Sequence, residues 1–258
     1  MMNKSMKSLL GGLVLLTAPT ALATSTTSIP AFEASITTAR GTTSPGGATV
    51  IRSELKTALD AFLNDTGGPT GVDSAERAYL TTRLNDTPFQ QSLTGTAAKY
   101  FADFYELNDA NPVGAPLYLS PVAGTAASLY GATGPLANAS RIQEGYIANG
   151  QGVANQATLG EAFSSYFGPQ SSIFEPITVK ELIARLSGNI FSATPTVDEV
   201  EGATAFITAI SRNSNRLYVT GWSCRGCGAP GYTAGYVIAA VSTDRRFVRM
   251  VSVMTTSD

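Results

Sequence analysis

The sequence predicts an α+β fold, an N-terminal helical part followed by a C-terminal four-stranded antiparallel meander. Three observations predict it. Apolar residues between about 50 and 190 recur at helical spacing. Along the same stretch, Ser, Thr or Asp repeatedly stands three residues before Glu or Gln, the reciprocal cap of a helix start. After residue 200 the pattern changes to runs of Val, Ile, Thr and aromatics separated by turn residues.

Residues 1–23 read as a cleavable signal peptide. Lys4 and Lys7 make a positive start, residues 9–16 a short apolar core, and Ala21-Leu22-Ala23 supplies the small residues that a signal peptidase reads. That core is shorter than the roughly 20 residues a membrane-spanning helix needs. The expectation is a secreted or periplasmic protein with no stable membrane insertion after cleavage. Residues 24–49 are rich in Thr, Ser and Gly and read as a flexible segment, with a short strand near 32–38. A single α+β domain is expected over 50–258, helical over 50–190 and sheet over 200–256.

Within that domain, Ile51, Leu55, Leu59, Phe62 and Leu63 predict a helix over about 50–64. Asp73 with Glu76 caps a helix over about 74–84. Thr87-Pro88 with Gln90 opens another, and Tyr100, Phe101, Phe104 and Tyr105 mark one over about 95–107. Residues 109–137 lack periodicity, though Leu117-Tyr118-Leu119 suits a short strand. Ser140 with Gln143, Thr158 with Glu161 and Thr178 with Glu181 each fit a helix start. The four strands are expected at 203–211, 216–223, 232–242 and 245–254. On the second, Leu217, Val219 and Gly221 share one face and Tyr218, Thr220 and Trp222 the other. On the fourth, Phe247, Arg249, Val251 and Val253 alternate with Val248, Met250, Ser252 and Met254; neither face is purely polar, which places the strand centrally in the sheet.

Composition narrows the chemistry. The chain has no histidine, so it cannot assemble a Ser-His-Asp or Cys-His arrangement, and it lacks the commonest zinc ligand. Acidic residues outnumber basic ones, 19 to 17, which offers no footprint for nucleic acid. No cofactor and no metal site are expected, because a lone pair of cysteines is too few ligands for zinc.

Both cysteines lie in Trp222-Ser223-Cys224-Arg225-Gly226-Cys227-Gly228. In an oxidising compartment Cys224 and Cys227 are expected to form a disulfide. A ring that small stabilises by only about 2 kcal/mol, so its role is to stiffen the connection between strands. The spacing is also that of thiol oxidoreductases, but Gly228-Ala229-Pro230-Gly231 follows, where those enzymes begin a helix. Trp222, Arg225, Tyr232 and Tyr236 are residue types that dominate binding hot spots, and a stapled loop presents them at low entropic cost. They form the candidate binding site.

Ser53-Glu54-Leu55-Lys56 matches the Ser-x-x-Lys pattern of penicillin-recognising serine enzymes, in which a helix sets Lys one turn from Ser. Ser187-Gly188-Asn189 can be matched to the second motif. Val219-Thr220-Gly221 departs from the third, with Val in place of the cation. The leading expectation is a non-enzymatic binding protein for an unidentified protein or small molecule. The alternative is a secreted hydrolase using Ser53 and Lys56 or a carboxylate pair; Asp103, Glu106 and Asp109 cluster near a helix end and Asp198, Glu199 and Glu201 before the sheet, but charge runs at element ends are usually solvated and neither cluster is nominated as that pair.

Overall fold

The computed structural model describes residues 25–64, 71–109, 114–132, 136, 141–167, 173–187, 194–225 and 232–257. Among the described residues it is a mixed structure of helices and one antiparallel six-stranded sheet. The helices are α1 (Ser25–Ala39), α2 (Arg52–Leu63), α3 (Ser74–Leu84), α4 (Thr87–Gln91), α5 (Gly95–Asn108), α6 (Ala126–Tyr130), α7 (Gln156–Phe167), α8 (Val179–Ser187) and α9 (Val197–Ile210). The strands are β1 (Ser120–Pro121), β2 (Arg141–Tyr146), β3 (Glu175–Pro176), β4 (Arg216–Arg225), β5 (Tyr232–Val241) and β6 (Phe247–Ser257), in spatial order β1-β2-β6-β5-β4-β3.

Helices α1 to α5 surround one aromatic-rich core that includes Phe32, Leu55, Phe62, Leu80, Phe89, Phe101 and Phe104. The expected starts hold for α2, α3 and α5. Asp73 accepts from Glu76 N at 2.8 Å while Glu76 accepts from Asp73 N at 2.8 Å, a complete capping box. At α4 the cap is Asp86, one residue before the expected Thr87.

The segment 24–49 departs from expectation. Instead of a strand near 32–38, Ser25–Ala39 form α1, and turns follow over 40–49. Ser28, Phe32, Ile36 and Ala39 fall on one face of that helix and are buried. Burial of that stripe stabilises the helix more than its weakly charged composition suggests.

Strands β4, β5 and β6 make the expected meander, with β6 between β5 and β2. One sheet face packs Val219, Ile238 and Val251 against Leu182 of α8 and Phe206, Ile207 and Ile210 of α9. The other packs Tyr218, Val237 and Met250 against Leu159 and Phe163 of α7.

The predicted first strand, 203–211, is the C-terminal part of α9. Ala203, Phe206, Ile207 and Ile210 are buried at helical spacing, and Thr196 accepts from Glu199 N at 3.2 Å to open the helix. The four-stranded meander thus becomes three strands joined by β1, β2 and β3 from the middle of the chain. Helices and strands interleave there, in place of a helical 50–190 and a sheet confined to 200–256. Gln143, expected in a helix start with Ser140, lies on β2; Ser140 itself lies outside the described residues. The cap of α7 is Asn155, which accepts from Thr158 N at 2.9 Å, three residues before the expected start.

Both edge strands are two residues long and end in proline. Short, proline-bearing edges resist pairing with another chain. Helix α5 joins the two layers: Tyr100, Phe101 and Phe104 belong to the helical core, while Leu107 is buried in the core on the α7 side of the sheet.

Candidate functional site

The residues singled out in the sequence are not brought together as one surface. Trp222 pairs across the ladder with Gly235, and Tyr236 with Gly221. Successive side chains alternate faces, so Trp222 stands on the α7 side and Tyr236 on the α8–α9 side. Trp222 is half-buried, and its Nε1 is enclosed with no hydrogen-bond partner among the described residues. Arg225 is exposed at the end of β4, in register with Tyr232. Cys224 lies on β4, whereas Cys227 and the rest of 226–231 lie outside the described residues.

Tyr236 and Lys56, far apart in sequence and in expected role, do converge. They belong to a charged seam where α2 and α5 meet β3, β4 and α8. Arg52 of α2 donates to Glu181 from Nε at 3.1 Å and from Nη2 at 2.6 Å, a two-pronged pair. Its Nη2 also donates to Pro176 O at 3.3 Å, and its guanidinium lies 4.2 Å over the Tyr100 ring. Lys56 pairs with Glu175 and lies 3.7 Å from Asp60. Glu175 accepts in addition from Arg185 at 2.8 Å, and the Arg185 guanidinium stands 5.5 Å over Tyr236. Further along, the Tyr218 hydroxyl donates to Asp103 O at 3.4 Å, Arg216 pairs with Glu106, and Arg245 pairs with Asp109 at 2.6 Å.

This setting shifts the titrations in opposite directions. Burial pushes the Glu181 carboxyl up, but hydrogen bonds from Arg52 and Thr178 outweigh it and bring the group down to about 2. Burial also opposes ionisation of Glu175, and hydrogen bonds from Lys56 and Arg185 overcome it, leaving the group below its ordinary range. The hydrogen bond from Arg216 leads the lowering of Glu106. Burial dominates at Asp60 and Asp103, which are raised despite their lysine partners.

Ser53 is exposed on α2, and its carbonyl accepts from the Thr57 hydroxyl at 3.1 Å. Lys56 addresses the two carboxylates Glu175 and Asp60. Of the acidic clusters, Asp103 is held by Lys99 at 2.7 Å, and Glu199 caps α9. No group of three His, Cys, Asp or Glu among the described residues is placed to hold a metal ion, and none of the described helices is long and apolar enough to cross a membrane.

Two concave surfaces carry residues that sequence reasoning did not nominate. A groove of about 510 Å³ between residues 114–118 and α7 is lined by Leu117, Tyr118, Thr158, Glu161 and Ser165. Tyr118 is 83% exposed there. A groove of about 500 Å³ between α1 and α2 is lined by Thr38, Thr43, Pro45, Glu54 and Thr57. Tyr146, 73% exposed, stacks 4.8 Å from Phe247 at the opposite end of the sheet from Trp222. Tyr118 sits in the aperiodic stretch, where the one available signal was an aromatic residue among Gly and Pro.

No family model, curated protein or solved structure matches the chain.

Proposed function

We propose that the chain is a secreted or periplasmic, non-enzymatic binding protein, stapled by a Cys224–Cys227 disulfide, that recognises a small molecule or a protein segment through the sheet-bearing half of the fold. The observation that carries this reading is the groove beside α7. A large tyrosine ring left 83% exposed next to a concave surface with carboxylate and hydroxyl groups is a recognition feature rather than a packing one. The reading is supported by the leader-like start, the lack of histidine and the opposite charges that hold Lys56.

The experiment is a ligand-observed NMR screen of a fragment library against the full chain, repeated with Tyr118→Ala and with Arg225→Ala. The expected outcome is a set of hits lost in Tyr118→Ala and kept in Arg225→Ala. Loss in Arg225→Ala alone moves the site to the β4–β5 loop. Hits that survive both substitutions, or no hits at all, overturn the proposal for this half of the molecule.

A further inference from the structure

The helical bundle and the sheet layer have separate apolar cores, and charged pairs line much of the boundary between them. The two ends of that boundary differ. At the C-terminal end of α5, Leu107 is buried in the core beside α7, and Arg216 and Arg245, each 11% exposed, pair with Glu106 and Asp109, 28% and 23% exposed. Arg245 also donates to Glu106 O, a second tie to α5 at this end. At the α2 end the pairs are wetter: Lys56 and Glu175 are 37% and 22% exposed, and Arg52 and Glu181 are 14% and 44% exposed. Salt screens exposed pairs far more than buried ones, with a screening length of about 3 Å at 1 M.

We propose that the seam is an ionic hinge. The bundle of α1–α5 pivots on the C-terminal turn of α5, so that the α2 end lifts from β3 and α8 as ionic strength rises while both layers stay folded. Lifting removes Arg52 from Pro176 O and Lys56 from Glu175, and so uncovers the β3 edge of the sheet.

The test is amide hydrogen exchange on the full chain at about 0.05 M and about 1 M sodium chloride. The reporter is the Ile177 amide, which donates to Leu217 O at 2.9 Å beside β3; the two-residue strand frays from β4 once Arg52 and Lys56 no longer hold Pro176 and Glu175. High salt is expected to speed its exchange on the order of tenfold, the sum of a few partly exposed pairs. Residues 55–59 of α2 and 237–241 of β5 keep their protection. A Lys56→Glu variant sets a carboxylate against Glu175 and Asp60, so its dependence reverses: salt screens the repulsion and slows exchange at Ile177. A wild-type chain whose Ile177 exchange ignores salt, or whose β5 amides accelerate in step, overturns the hinge, as does a Lys56→Glu variant with the same sign as wild type.

Discussion

Glu181 does two jobs through one carboxylate. Its Oε2 accepts from Thr178 N at 3.0 Å to cap α8, and the same group receives both prongs of Arg52 from across the seam. A group lowered from 4.5 to about 2 by folding contributes stability that is present above about pH 4.5 and is lost as pH falls toward 2. Asp60 and Asp103 are raised, so their contribution has the opposite sign and grows as pH falls through their folded values. The Glu181→Gln variant should therefore start less stable at neutral pH and lose less on acidification. Thermal unfolding midpoints between pH 2 and 4.5 check this, and parallel slopes for variant and wild type would rule it out. The Thr178–Glu181 cap is legible in sequence, because its geometry is local. The Arg52 partner is not, because it lies 129 positions away and is set by packing.

Helices α1 and α9 show where element type was and was not legible. Capping boxes at α3 and α8 announce those helices from a few neighbouring residues. Helix α9 has such a box too, at Thr196 and Glu199, but its Thr and Ile content also suits a strand. Contact with the sheet decides, since a helix buries Ala203, Phe206, Ile207 and Ile210 on one side. Helix α1 has no acidic residue in its first turn and no basic residue in its last, and it carries Pro30 inside. What holds it is Phe32, fully buried within 5.3 Å of Phe62 and 6.2 Å of Phe89, together with Ser28 bonded to Glu76. Phe32→Ala should cost about 3–5 kcal/mol in urea unfolding. A loss under about 0.5 kcal/mol would mean that the segment is as dispensable as its composition suggests.

At the scale of the whole molecule, the proposed compartment and staple stand or fall on one measurement. Intact mass of the exported protein should start at Thr24, and reduction should add the mass of two hydrogens as Cys224 and Cys227 open. A product that keeps Met1, or two thiols that alkylate without reductant, removes both. Which cations and carboxylates meet at the seam is likewise a property of the assembled layers, and so is the exposure of Tyr118.

Local composition and spacing were enough for a helix-then-strand trend, the β4–β5–β6 meander and the starts of α2, α3, α5 and α8, because caps, turns and period-two runs are written in neighbouring residues. The six-strand order, the helical identity of 25–39 and 197–210, the split of Trp222 from Tyr236 and the union of Lys56 with Tyr236 through Glu175 and Arg185 came from packing. Two-residue strands and ion pairs more than a hundred positions apart gain their energy from contacts between distant segments, and those contacts leave no periodic trace along the chain.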